Sequence, residues 1–381
     1  MNIILSPSLS IETYGLGISV FQTFQALLKH GKSIKVITSD PKFNIKSGNS
    51  QRYVLFAKSL LPYPYSYSNK IYGFLAQNKS SLIDLQGLWT PFSWILTNFC
   101  LANKIPYIIT PHGMLDSYGV SKMGIKKKLA YYMFEKNCLS NAKAFRVTSS
   151  RELNNLRKFG IKQPIAVIPH GINSFSSFKR KIIEKKISSK TILFIGRIHP
   201  VKNIESLLKA WSILNKSYKD WNLIIAGSGE KKYTDKLKKY SIQLNVKNVI
   251  WQGKLNNLGK NNLINHSTIL ILPSLSENYG LVVAESLSLG TPVIFSDQTP
   301  WKCLEKFNCG LSTTTNYKSI KNALKKFINL NFKEKYEMAS NAKKYADMHL
   351  SWNKITSDIN QFYEWVKSSK NKKPSFVNLI K

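Results

Sequence analysis

The residues best suited to chemistry stand where short apolar runs give way to glycine-bearing loops. The richest segment is SLSENYGLVVAESLSLGTPVI (274–294), in which Glu277 lies just outside a helix opened by Gly280 and Glu285 lies inside it. Backbone N–H groups from Asn278 and Tyr279 to Leu281 are the unpaired donors of such a helix start, suited to a phosphate or a sugar oxygen. Two carboxylates so placed can each accept hydrogen bonds from a vicinal diol. The spacing alone suits equally a charge favoured by the helix dipole and a solvated face residue. Its place after a buried strand, with Gly280 before it and Gly290-Thr291-Pro292 closing it, favours ligand binding.

A second group is FIGRIHPVKN (194–203), where Arg197 and Lys202 stand five apart across a turn. Both can point at one diphosphate, while an ordinary basic pair on a loop explains them as well and, for Lys202 taken alone, explains it better. In IIAGSGE (224–230), Gly227 follows a strand and precedes a helix. Glycine there lets backbone approach phosphate, although a full dinucleotide fingerprint is missing. Gly15 and Gly17 in YGLG (14–17) open a helix in the same way, and a loop that simply needs glycine explains them as well. His112, in YIITPHGMLD (107–116), stands just past a strand between Pro111 and Gly113. A histidine there can act as general base or sugar ligand. His170, in IPHGIN (168–173), falls at the domain boundary and reads as a hinge residue.

The elements that must carry these residues alternate. Short strands at Ile3–Leu5, 33–40, Leu82–Leu85, Tyr107–Thr110, Ala144–Thr148 and Ala166–Ile168 are separated by helical patterns of 10–15 residues. The alternation breaks at SFSSFKRKIIEKKISSK (174–190), a basic stretch without a clear period that reads as a linker. It restarts with strands at 191–196, 222–227, 248–253, 268–273 and 292–295, and the remainder is helical to about Lys367. Such alternation describes parallel sheets with crossover helices. The expected organisation is an α/β domain at 1–173, a linker at 174–190, a second α/β domain at 191–351, a helix at 352–368 returning to the first domain, and a tail at 369–381. Two doubly wound domains with a cleft between them place ligands beyond the carboxyl ends of their strands.

Composition agrees with two cores. A chain of 381 residues exceeds one ordinary core, and 43% hydrophobic with 12% aromatic content argues against disorder. The charge stands apart: 56 basic against 20 acidic residues give a net +36, pointing to a polyanion, whether a nucleic acid or an anionic membrane. Fifty of the 56 are lysine, a skew that codon composition also produces. The lysines are spread rather than clustered on one recognition helix, which argues against nucleic acid. The stretch SKMGIKKKLAYYMFEK (121–136) reads as a basic amphipathic helix able to rest on anionic lipid, and equally as a half-buried helix with solvated lysines. LLPYPYSYSNKIYGFLA (60–76) has a similar interfacial character. Cys100, Cys138, Cys303 and Cys309 show no metal-ligand spacing and read as reduced thiols of a cytosolic protein. No apolar run reaches membrane-spanning length, and the first residues lack a charged leader, so any membrane contact is expected to be peripheral, on the inner face of the cytoplasmic membrane.

Taken in order, Gly15-Leu16-Gly17, TPHGML (110–115), VIPHGIN (167–173), FIGRIHPVKN (194–203), AGSGE (226–230) and SENYGLVVAESLSLGTPVI (276–294) resemble the retaining glycosyltransferases of family 4 across essentially the whole chain. The resemblance implies the GT-B fold, two Rossmann-like domains facing each other across a cleft. It also implies transfer of a hexose-type sugar from a UDP- or GDP-sugar to a saccharide or lipid-linked acceptor, with no metal cofactor. On that resemblance Arg197 and Lys202 hold the donor diphosphate, and Glu277 binds donor-sugar hydroxyls with the backbone at Asn278, Tyr279, Gly280 and Leu281. Glu285 binds the ribose, the Gly15–Gly17 loop and Gly227 pack near the diphosphate, and His112 meets the sugar on the acceptor side. Fixed cations stabilise charge building on a leaving diphosphate, so a metal is redundant. No nucleophile is evident in the first domain, which favours same-face attack assisted by the leaving phosphate. The segment SPSLSIETYGLG (6–17) is longer and less glycine-rich than the family's usual opening loop, while TPWKCLEKFNCG (299–310) resembles a surface-polysaccharide subgroup. A sugar-nucleotide epimerase or hydrolase of the same fold remains an alternative, as does a basic non-catalytic protein binding membrane or nucleic acid.

Overall fold

A computed structural model describes residues 1–7, 9, 15–40, 51–57, 70–78, 80–116, 124–173, 180–368 and 371–380. They form two compact units: Met1–Gly171 with Trp352–Lys381, and Ile172–Ser351.

The first unit is built on β1 (Asn2–Ser6), β2 (Ile34–Thr38), β3 (Val54–Phe56), β4 (Leu82–Gln86), β5 (Tyr107–Thr110), β6 (Ala144–Val147) and β7 (Ile165–Val167). β1, β4, β5 and β6 are buried at every position, as a parallel sheet covered on both faces requires. Spatial order is β7-β6-β5-β4-β1-β2-β3, all parallel, so the winding reverses between β1 and β4. The helix Gly15–Lys29 buries Val20, Phe24 and Leu27, one stripe at helical spacing. Helix Ser150–Phe159 starts at Ser149, whose hydroxyl accepts from Glu152 N–H, and stops at left-handed Gly160. Segment 125–141 contains a π-helical turn at Tyr131–Glu135 where the sequence suggests one continuous α-helix.

Helix Trp352–Lys367 buries Ile355, Ile359, Phe362, Tyr363 and Val366 in this unit's core. Residues 369–381, expected to be a tail, carry β14 (Val377–Asn378), which pairs antiparallel with β7 and so covers an edge that sequence patterning leaves open.

The second unit orders β10 (Val249–Gln252), β9 (Asn222–Ala226), β8 (Thr191–Ile195), β11 (Ile269–Leu272), β12 (Val293–Ser296) and β13 (Gly310–Thr313) side by side, all parallel. Its winding reverses between β8 and β11, which makes the loops leaving those two strands neighbours. The expected linker at 174–190 is largely helix, Arg180–Ser188. Ile183 and Lys186 of that helix are buried, and Lys186 Nζ donates to Leu289 O at 2.6 Å and Thr291 Oγ1 at 2.7 Å. A run of basic residues hid an amphipathic face in which one lysine is interior. Burial pushes the Lys186 ammonium down to about 7.

Candidate active site

In the second unit, β8 runs into Gly196 and Arg197, and a 3-10 turn, Pro200–Lys202, follows. The His199 imidazole caps that turn by accepting from Val201 N–H. Lys202 stands in this turn, just ahead of helix Ile204–Leu214. Asn203, left-handed at φ 57°, ties the turn to the end of β11, donating to Pro273 O at 3.1 Å and Thr315 O at 2.7 Å. Leu275 N donates to Val201 O at 2.8 Å, so the loops leaving β8 and β11 are laced by backbone.

Across that lacing Lys202 Nζ donates to Glu277 Oε2, the two side chains being 17% and 15% exposed. Water still reaches both, which leaves them open to a ligand. Gly280 takes φ 76° at the start of helix Leu281–Ser288, and a Cβ there would lie 3.0 Å from Leu272 and 3.2 Å from Glu277. Glycine takes this turn without strain and leaves room for Glu277 to fold back against it. The N–H groups of Gly280 and Leu281 donate no hydrogen bond among the described residues. Buried Tyr279 is anchored by Trp301, whose indole N–H donates to the Tyr279 carbonyl and whose ring lies 5.0 Å away. Asn278 is half-buried beside it, and Arg197 is exposed at the end of β8. Burial, then the charges of Arg197 and Lys202, hold the His199 imidazole below its usual range, a mark of the positive field at this loop.

Glu285, in the body of the helix, pairs with Lys260 at 2.5 Å. Lys260 comes from helix Asn257–Asn265, capped by Asn256. Nothing in the sequence singles out this lysine among fifty. Gly227 has a reason of its own: at φ 134°, a Cβ would sit 1.9 Å from the Gly196 carbonyl oxygen. The loops after β8 and β9 run together there, with Ile198 N donating to Ser228 O at 2.9 Å. Backbone packing accounts for this glycine without a phosphate.

In the first unit Gly15 is the first residue of its helix and exposed, while Gly17 is buried; residues 10–14 of the preceding loop lie outside the described residues. His112 follows β5 with φ 52°, left-handed backbone that costs a non-glycine residue roughly 1 kcal/mol or more. Two contacts hold it. Gly113 N donates to Glu152 Oε1 at 2.5 Å, while Glu152 Oε2 accepts from Thr148 N at 2.8 Å and Thr148 Oγ1 at 3.0 Å. Glu152 is 1% exposed and staples the loops after β5 and β6. The Ser149-x-x-Glu152 spacing signals a helix start, but the carboxylate reaches past the cap to Gly113. His112 Nε2 also lies 2.7 Å from Gln86 Oε1 at the end of β4.

His170 lies next to the boundary between the units, as its place in the sequence suggests; it is buried, and its ring stacks on His112 with centroids 5.7 Å apart and planes 8° off parallel. Burial and then the Arg146 charge push His170 down to about 3. Burial, then His170 and Arg146, keep His112 well below its usual range, so both imidazoles are neutral at physiological pH. Glu135, in the π-helical turn, is also buried. Its Oε1 accepts from Trp89 N and Ser93 Oγ, both at 2.6 Å, and burial raises it to about 7.

Residues 13–174 match the family model described as Glycosyltransferase Family 4, and residues 175–346 match Glycosyl transferases group 1. This chain belongs to glycosyltransferase family 4. Its relatives include an uncharacterized glycosyltransferase of Haemophilus influenzae, 34% identical over 119 residues, covering 30% of this chain and 32% of that one. An Escherichia coli UDP-Gal:alpha-D-GlcNAc-diphosphoundecaprenol alpha-1,3-galactosyltransferase is 30% identical over 153 residues, 37% of this chain and 39% of its own. The matched segments thus span only 32% and 39% of these curated relatives. Among solved structures, Anabaena Alr3699/HepE in complex with UDP and glucose aligns with TM-score 0.73 and 16% identity over 96% of this chain and 99% of that one. The family 4 chain and that protein share the GT-B fold, two parallel α/β units. Among the described residues, no three of His, Cys, Asp and Glu gather as a metal site, and no helix is long and apolar enough to cross a membrane.

Proposed function

We propose that this chain transfers a hexose-type sugar from a UDP- or GDP-sugar to a saccharide or lipid-linked saccharide acceptor in surface-polysaccharide assembly, with retention and without a metal. The observation that carries the reading is the meeting of Lys202 and Glu277 at the switch point between β8 and β11, beside Arg197. A cation for the leaving diphosphate and an acceptor for sugar hydroxyls stand in contact at one loop cluster. As negative charge grows on the diphosphate, Lys202 and Arg197 stabilise it more in the transition state than in the ground state. Glu285, on the helix opened by Gly280, takes the ribose hydroxyls, and the open N–H groups of Gly280 and Leu281 take donor oxygens. Neutral His112 contributes a hydrogen bond to the sugar rather than a charge. The names of the relatives support a nucleotide-sugar donor and a diphosphoundecaprenol-linked acceptor.

A lipid-linked acceptor agrees with one surface of the first unit. Ile125, Leu129, Tyr132 and Met133 are between 59% and 86% exposed, with Lys128 and Lys136 exposed beside them. An apolar face rimmed by lysines suits an anionic bilayer. Residues 60–69 of the second aromatic stretch lie outside the described residues.

The test is a thermal-shift panel of UDP-, GDP-, ADP- and CMP-sugars. The matching donor at about 100 times its Kd should add roughly 2.7 kcal/mol of stability, and Glu285→Ala should lose most of that gain. A panel in which no nucleotide sugar raises Tm would falsify the donor assignment.

A further inference from the structure

A buried polar chain runs beneath His112, and with Asp84 ionised its proton directions follow from valence. Tyr363 Oη donates to Asp84 Oδ2 at 2.6 Å, and Thr110 Oγ1 donates to Asp84 Oδ1 at 2.8 Å. Arg146 Nε donates to Thr110 Oγ1 at 3.3 Å, and Gln86 Nε2 lies 3.4 Å from the same oxygen. Asp84, Gln86, Thr110, Arg146 and Tyr363 are each no more than 3% exposed. A hydroxyl has one proton and two lone pairs. Thr110 spends its proton on Asp84 and its lone pairs on Arg146 and Gln86. The Gln86 amide therefore presents NH2 to Thr110 and its carbonyl to His112. Turned over, it would set Oε1 against a lone-pair oxygen and NH2 against His112. With the carbonyl facing it, His112 Nε2 must carry the proton.

We propose that Asp84, through Thr110 and Gln86, writes the tautomer of His112, holding Nε2–H on Gln86 and leaving Nδ1 a bare lone pair for a sugar hydroxyl. Gln86 is the positioning residue. Nδ1 has no hydrogen-bond partner among the described residues, while the ring is clamped by the His170 stack and by Glu152 at the next residue. A neutral Nδ1 accepts from a hydroxyl without placing a cation beside an oxocarbenium-like sugar. Burial of Asp84 raises its carboxyl and favours a proton there, and the Arg146 charge with hydrogen bonds from Tyr363, Thr110 and the Gln86 amide opposes it. A protonated Asp84 would free the Thr110 hydroxyl to turn toward Gln86 and scramble the chain.

The Nδ1 contact rests on the proposed transferase reading; the tautomer does not. The experiment is long-range nitrogen–proton NMR of the full chain with labelled histidine, the His112 signal identified by its loss in His112→Asn. The expected spectrum is neutral, Nε2-protonated and constant across about pH 5.5–8. Gln86→Met should give mixed tautomers and lower kcat/KM about five- to tenfold. Gln86→Glu keeps an acceptor at that point, so it should keep Nε2–H while moving the imidazole pKa upward. Thr110→Val reads the same relay with Gln86 in place, and should also mix the tautomers. An Nδ1-protonated parent, or an unchanged spectrum in both Gln86→Met and Thr110→Val, overturns the relay. His112→Ala with parental sugar transfer removes the sugar contact while the tautomer result stands.

Discussion

The two units prepare their candidate residues in opposite ways. In the second, Lys202 and Glu277 pair across the loops at the reversal of the sheet and Lys260 and Glu285 pair between two helices, all four charged and water-accessible. In the first, His112 is neutral and rests on groups that water does not reach. Where charge must respond to charge, the groups sit at the surface and stay solvated until a ligand arrives. Where orientation matters, the supporting hydrogen bonds are interior, since a bond left unmade there costs about 1–3 kcal/mol.

The sharpest break between the two comes from Lys202→Ala. It should lower kcat/KM roughly a thousandfold, about 4 kcal/mol of transition-state stabilisation, with Tm almost unmoved. Steady-state kinetics beside calorimetry read both, and a large drop in Tm would mean that the pair is structural like its buried counterparts. Next in size is Glu135→Gln. The folded carboxyl titrates near 7, above its ordinary 4.5, so the native state holds a proton that the unfolded chain has lost between those values. Parent stability therefore falls as pH rises from 4.5 to 7. The glutamine variant escapes that loss, and its advantage should grow to roughly 2–4 kcal/mol by pH 8, measured by denaturant melts along the series. Tyr363→Phe removes one hydrogen bond to buried Asp84 and should destabilise by about 1.5–3 kcal/mol, with donor KM unchanged; a KM effect would tie this residue to the donor side. The smallest expected effect is that of salt. Raising ionic strength from about 0.05 to 0.5 M should weaken donor binding severalfold while the His112 NMR pattern stays constant, and equal sensitivity of the two would erase the contrast.

Much of the second unit's site was legible because it is carried by short contiguous segments. Gly280, Glu277 and Glu285 lie within nine residues, and a strand–loop–helix pattern places them without long-range information. Lys260 was not legible, since a lysine on a helix face becomes a partner only when two helices meet. The same holds for the first unit, where Asp84, Thr110, Arg146 and Tyr363 come from three strands and a helix far along the chain. Inside apolar strands these residues read as interruptions, and only the sheet order explains them. Strands β3, β13 and β14 are short and sit at the sheet edges, only partly buried, so they lack the apolar run that marks the interior strands. The helix Arg180–Ser188 was masked by its own lysines.

The first unit is interrupted: the chain leaves it at Gly171 and re-enters at Trp352. The two points of passage touch, for a Cβ on Gly171 would lie 2.2 Å from the Trp352 ring. During synthesis, residues 172–351 emerge as one uninterrupted piece and can close their core while the earlier unit still lacks its last helix. Asp84 then waits in a half-built interior with Arg146 and Thr110 but without Tyr363. The residues that support His112 are thus completed only after residues 172–351 have been made, and a product cut before Trp352 would have its second unit finished and its first unfinished.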